Sequence, residues 1–318
     1  MGGFSSEFDI SIKSGNAVYK ALENSNYQVY RTVIAKDNWY LLDENDYKIP
    51  LDKSDFSVIV NNEKIYFDVV FNTIHGSPGE DGLIQGYFEN MGIPQTASDH
   101  YPAALTFNKR DCISVLKPYG IVSPNNYLLD QGDPIDVNAI IEKVGLPCFV
   151  KANRAGSSFG ITKVKQEDDL IPAIEYAYKE DNEVIIEQAI NGREFSVGII
   201  NYDSAPMVLP ITEIQSENEF FDFDAKYHGK SKEITPADLD LNLQNNIQKE
   251  ALSIFKILKL KGLTRAEFIV EDETPYFIEI NTCPGLTEAS ILPQQAQAAK
   301  ISLEDLYSNA IEIALKKP

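Results

Sequence analysis

Near its C-terminal end the chain reads "LTRAEFIV" (263–270), then "EDETP" (271–275), then "YFIEIN" (276–281). Two runs rich in β-branched and aromatic residues flank a cluster of turn formers, the pattern of a β-hairpin. Side chains alternate along a strand, so Arg265, Glu267 and Ile269 share one face, and Phe277, Glu279 and Asn281 share another. A hairpin centred near Glu273 sets Glu267 opposite Glu279 and Arg265 opposite Asn281. Facing carboxylates repel each other. A divalent cation between them reverses that sign, and Mg²⁺ takes one or two carboxylates together with substrate phosphates. Asn281 adds a neutral oxygen. The same residues also suit a solvent-facing strand that binds nothing.

The rest of the chain alternates strands with helices. "QVYRTVI" (28–34) and "KIYFDVVFNTI" (64–74) read as strands; residues 16–25 and 82–92 space their apolar residues as helices do. This alternation predicts an α/β (α+β) fold whose first domain has a mostly parallel sheet. The loop "HGSPGEDG" (75–82) then falls at a strand's carboxyl end, where such sheets bind ligands. Further on, 103–120 and 168–179 read as helices, and 147–152, 161–165 and 183–190 as strands. "EFSVGIIN", "MVLPITEI" and a long polar stretch (215–237) follow. Helices at 239–258 and 303–316 flank the acidic hairpin.

Two other segments suit a nucleotide. "KANRAGSSFG" (151–160) follows a strand, and its small residues can expose several backbone N–H groups to an anion, with Lys151 as a point charge. It is neither a GxxxxGK[ST] nor a GxGxxG loop, and a plain hairpin loop has the same composition. Glu187 ends a strand and Glu194 lies seven residues on, where carboxylates can accept from an adenine amine and ribose hydroxyls. In the polar stretch, "FFDFDAKYHGK" (220–230) offers Lys226 and Tyr227 to a closing lid.

The net charge of −20 argues against nucleic acid or an anionic membrane surface as partner. Three widely spaced cysteines, Cys112, Cys148 and Cys283, fit a reducing compartment better than a disulfide framework. No apolar run approaches the ~18 residues of a membrane span, and a cytoplasmic location is expected.

Taken together and in order, "GGFSSEFDIS" (2–11), "HGSPGEDG" (75–82), "NKRD" (108–111), "KANRAGSSFG" (151–160), "EFSV" (194–197), "DAKY" (224–227) and "RAEF…EINTCPGLTEASILP" (265–293) resemble the D-alanine–D-alanine ligases of the ATP-grasp superfamily. The resemblance runs essentially end to end. It implies an ATP-grasp fold in three parts: an α/β substrate domain (1–98), a central subdomain with the phosphate loop (99–187) and a C-terminal subdomain with metal site and lid (188–318). It implies ATP and two Mg²⁺ ions (Mn²⁺ as a substitute) as cofactors, D-alanine as substrate and a homodimer.

The resemblance also assigns residues. Glu267, Glu279 and Asn281 become metal ligands. Lys109, Lys151 and Ser158 become phosphate contacts. Glu187, Gln188 and Ile190 form the adenine pocket and Glu194 contacts the ribose. Glu7 holds the first D-alanine's ammonium in a triad with Ser157 and Tyr227, with His75 nearby. Arg265 and the Gly285 amide form the oxyanion site. Ser290, with Ile291 beside it, and Lys226 take the second D-alanine's carboxylate. Tyr227 favours an amine over a hydroxy acid as second substrate.

Three departures from the family pattern stand out. The chain opens at "MGG", where the family has a first β-strand, so Glu7 is expected to be poorly anchored and activity or stability reduced. Glu267 replaces the usual Asp, and Ala152 a common Pro. The alternatives are another ATP-grasp carboxylate–amine ligase and a nucleotide-binding protein without catalysis.

Overall fold

The computed structural model describes residues 1–156, 160–216 and 231–316. The first sheet comprises β1 (Gly2–Gly3), β2 (Arg31–Ala35), β3 (Trp39–Leu42), β4 (Lys48–Asp52), β5 (Ser57–Val60) and β6 (Glu63–Ile65), in that spatial order, with helix α1 (Phe8–Ala21) between β1 and β2 in the chain. Only β1 and β2 run parallel; every later pair is antiparallel. The mostly parallel sheet expected here is therefore a meander. The cause is the connections, which are too short for a crossover and join only antiparallel neighbours. Asn61 and Asn62, both at positive φ, make the tightest of these turns.

The strand expected over 64–74 ends at Ile65, and Val70 makes a single parallel bridge to Gln95. The first strand is not missing: Gly2 and Gly3 pair with Ile34 and Ala35. The Gly2 amide donates to Ser11 Oγ on α1 at 2.7 Å, and Ser11 donates to Thr73 O at 2.8 Å. These bonds anchor the start of α1, and with it Glu7, which is only 6% exposed. The poor anchoring expected of Glu7 does not occur.

Helices α2 (Leu83–Met91), α3 (His100–Phe107) and α4 (Lys109–Leu116) follow. The single helix expected over 103–120 is broken at Asn108. Its backbone is extended, and its side chain accepts from Asp111 N at 3.0 Å as the N-cap of α4.

A second sheet has the order β7 (Asn126–Asp130), β10 (Glu183–Gln188), β8 (Cys148–Ala152), β9 (Thr162–Val164), all antiparallel. Helices α5 (Val137–Val144) and α6 (Leu170–Ala177) cover one face, packing Ile140, Leu170 and Ile174 against Val150, Val184 and Ile186.

The third sheet has the order β14 (Ser231–Ile234), β13 (Thr212–Ser216), β11 (Arg193–Tyr202), β15 (Leu263–Glu271), β16 (Thr274–Asn281), with β12 (Ala205–Val208) also on β11. "MVLPITEI" gives two strands, because Pro210 lacks a ladder donor. Helix α7 (Leu241–Ile257) packs Ile247, Ala251 and Ile254 on Phe195, Val197, Ala266 and Phe268. The chain closes with α8 (Ile291–Ala298) and α9 (Leu303–Leu315), whose core reaches back to Val18 and Leu22 at α1.

The acidic hairpin has the predicted register: Arg265 pairs with Asn281 and Glu267 with Glu279. A register shift after Glu267 then pairs Phe268 with Phe277. The bulge turns Phe277 into the core, where it is 1% exposed, and not onto the face of Glu279 as simple alternation predicts.

Candidate active site

The open face of the second sheet and the acidic face of the third enclose a cavity of about 100 Å³. Lys151 and Phe149 enter from β8, Glu187 and Gln188 from β10, Glu194 from β11, Glu267 and Ile269 from β15, and Ile278 and Glu279 from β16. Lys109, Ile161 and Ile190 complete the lining. Alternation aims Phe149 with Lys151, and Glu267 with Ile269, inward while Val150 and Phe268 between them fill the two cores; the bulge brings Ile278 in beside Glu279, and Gln188 enters from the end of its strand.

The charges are arranged in pairs. Lys151 Nζ lies 2.6 Å from Glu187 Oε2, both buried. Burial alone would lower the Lys151 pKa, but Glu187, Glu279 and Glu194 outweigh it, and the ammonium is held above its usual range. Lys109 Nζ lies 3.4 Å from Glu279 Oε2 and donates to Ala155 O at 2.8 Å. Arg265 Nη1 lies 2.6 Å from Glu267 Oε1 and donates to Ser196 Oγ at 3.3 Å. Each facing carboxylate thus has its own cation, a compensation that reading the hairpin by itself did not foresee.

Asn153 fixes Lys109. Its fully buried side chain accepts from Arg110 N at 3.0 Å and donates to Asn108 Oδ1 at 2.9 Å and Glu183 Oε2 at 2.7 Å. The start of α4 is thereby tied to the loop after β8.

Asn281 lies outside this cavity, in an adjoining small one shared by Glu279, Lys109, Gly156 and Glu80. The donor set suits a hard cation held beside phosphates: two carboxylates and an amide oxygen on neighbouring strands, with two lysines close by. Among the described residues no cluster of three or more His, Cys, Asp or Glu side chains forms a metal cage of its own.

The loop after β1 and the loop 75–82 meet behind this cleft. A Cβ on Gly156 would stand 2.7 Å from Glu7 Oε2, and one on Gly76 would stand 3.1 Å from it, so the Glu7 carboxylate lies between the loop after β8 and the loop 75–82. His75 is buried, with Nε2 3.1 Å from Ser14 Oγ. Burial lowers its pKa to about 4, so the ring is neutral. Glu80, in the same loop, accepts from Gly76 N at 2.7 Å, and burial beside Glu7 raises its pKa to about 8. Glu80 was present in the quoted motif but received no role, because nothing in a linear sequence reveals burial next to a second acid.

A third cavity, about 360 Å³, brings together Arg265, Gly285, Ser290 and Ile291 with Lys13, Ser14, Glu233 and Thr287. Thr287 Oγ1 and Ser290 Oγ are 2.8 Å apart. Ser157, Ser158, Lys226 and Tyr227 lie outside the described residues.

Two sheets gripping a cleft of paired lysines and facing carboxylates, joined through the Arg265–Glu267 pair to an arginine–glycine–serine cavity, define the ATP-grasp class of carboxylate–amine ligases. The D-ala D-ala ligase N-terminus family model matches residues 1–98, and the D-ala D-ala ligase C-terminus model matches 115–312. The chain belongs to the D-alanine–D-alanine ligase family. It is 58% identical over 315 residues to a D-alanine–D-alanine ligase of Flavobacterium johnsoniae, covering 99% of this chain and 98% of that protein. Among solved structures, D-alanyl-alanine synthetase A from Vibrio cholerae matches with a TM-score of 0.88 at 29% identity, covering 99% and 97% of the two chains. The Bacillus anthracis D-alanine–D-alanine ligase complexed with ATP matches with 0.79 at 29%, covering 99% and 96%.

Proposed function

We propose that this chain joins two D-alanines in an ATP-dependent reaction that supplies a peptidoglycan precursor. The observation carrying this is the hairpin pair Glu267–Glu279, set across one cavity from Lys151 and Glu187, in a chain of this family.

Position in the cavities supports the following roles. Glu187, Gln188, Ile190 and Glu194 bind the nucleoside end, with the apolar walls of Phe149, Ile161, Ile269 and Ile278 accepting the flat base. Lys109 and Lys151 neutralise phosphate charge, which with positioning is most of what phosphoryl transfer requires. Glu267, Glu279 and Asn281 would hold Mg²⁺, which when bound neutralises charge on the phosphates. Glu7 receives the ammonium of the first D-alanine. Neutral His75, fixed by Ser14, shapes the wall beside it. Arg265 and the Gly285 amide face the oxygen that becomes negative as the second amine attacks the acylphosphate. Ser290 and Ile291 border the second substrate.

The division into 1–98, 99–187 and 188–318 is supported by the separate cores of the three sheets, although Cys112 and Leu116 of α4 join the third core. A homodimer and a cytoplasmic location complete the proposal; light scattering would read the first as twice the 35.6 kDa chain mass. No helix among the described residues is long and apolar enough to cross a membrane.

ADP release with D-alanine, ATP and Mg²⁺ tests the function. Glu279→Gln is expected to lower kcat roughly 100-fold while leaving the circular dichroism unchanged. Release driven by L-amino acids alone, or ATP binding with no turnover on any amino acid, would sink the proposal.

A further inference from the structure

The second-substrate cavity is lined by one carboxylate and two cations: Glu233 from β14, Lys13 from α1 and Arg265 from β15. Arg265 is already committed to Glu267 at 2.6 Å. Glu233 Oε2 accepts from Gln294 Nε2 on α8 at 2.9 Å, and Gln294 Nε2 also donates to Ala289 O at 2.8 Å. The amide therefore ties Glu233 to the loop that carries Ser290. No ion pair to Glu233 occurs among the described residues. Burial raises its pKa, while Gln294 and Arg265 pull the other way. A carboxylate kept partly dry in a substrate cavity is costly unless a positive charge arrives with the ligand.

An amino acid brings that charge. The acceptor is a zwitterion, and this cavity is its complement. Ser290 and Thr287 offer hydroxyls, and Lys13 a cation, for the carboxylate; for the ammonium the lining offers one anion. We propose that Glu233 docks the ammonium of the second D-alanine and so orients the nitrogen toward the reacting carbonyl. This rests on the ligase function proposed above. It adds a recognition element on β14, a strand at the edge of the third sheet whose role was not readable from the polar stretch it terminates.

Separate KM values for the first and second D-alanine, taken from ADP release, read the contact directly. For Glu233→Gln the second KM is expected to rise about tenfold or more, with the first within a factor of about two. Hydroxylamine, uncharged at neutral pH, has no ammonium to dock. Trapping of the acylphosphate as hydroxamate should therefore persist in Glu233→Gln while dipeptide formation falls. Glu233→Asp, which keeps the charge, should fall between wild type and Glu233→Gln. An unchanged second KM, or equal loss of hydroxamate and dipeptide, overturns the proposal. A substrate-side measurement needs no variant: D-lactate, lacking the ammonium, should compete for the wild-type acceptor site at least about tenfold more weakly than D-alanine. Equal competition also overturns it. A wild type that makes neither ADP nor hydroxamate would instead refute the ligase function itself.

Discussion

Glu80 shows how much a single residue can depend on its surroundings. Its pKa is raised by burial and then by Glu7 to about 8, against an ordinary 4.5. The folded protein therefore holds a proton that the unfolded chain has released, and the associated stability is present below 4.5 and lost as pH rises through 8. His75 works in the opposite sense: its pKa is lowered to about 4, so stability falls as pH drops from 6.5 toward 4. In metal- and nucleotide-free protein, Glu80→Gln is expected to gain melting temperature relative to wild type between pH 6.5 and 8, because the Met1 amine and Glu250, which also titrate there, are common to both proteins and cancel in the difference; a constant difference would refute it. Gly156 makes a second case. An added Cβ would press on Glu7 Oε2 at 2.7 Å, so Gly156→Ala should raise the KM for the first D-alanine on the order of tenfold, with little change in stability. The facing of Glu267 and Glu279 was legible because strand alternation has a period of two. The pairing of Lys151 with Glu187 was not, since nothing local sets the register of β8 on β10.

At the scale of elements, the hairpin β15–β16 was readable down to its register, and its bulge was not. Asp272 and Glu273 both adopt positive φ in the turn, a geometry other residue pairs favour more strongly, and the register shift after Glu267 absorbs one residue. The break between α3 and α4 had a local signal, Asn108 as N-cap, which continuous apolar spacing concealed. Helix α8 and the loop 282–290 had no strong periodicity, and what holds them is tertiary. Tyr307 on α9, fully buried, donates its hydroxyl to Leu286 O at 2.7 Å and so fixes the loop carrying Gly285. Tyr307→Phe leaves that carbonyl unpaired, and chemical denaturation should show a loss of about 1–3 kcal/mol. Denaturation midpoints equal to wild type would show that the loop is held by other contacts.

For the whole molecule, a net charge of −20 implies mutual repulsion in the compact state. Raising ionic strength from about 0.01 M to about 0.15 M should raise the melting temperature, because screening at about 8 Å weakens repulsion between surface acids more than the buried pairs of the cleft. A melting temperature that falls with salt would mean that surface ion pairs such as Lys261–Asp99 dominate instead. By itself the sequence determined most strands and helices of the second and third sheets, the facing of Glu267 with Glu279, and, through seven ordered motifs, the family, because these depend on local periodicity and on residues adjacent in the chain. Only the tertiary structure decided the meander of the first sheet, the anchoring of Glu7 by a two-residue strand, and the meeting of Glu233 with Arg265 and Ser290 in one cavity. Those outcomes depend on which elements pack together, and packing energy arises between segments far apart in the chain, where no local pattern records it.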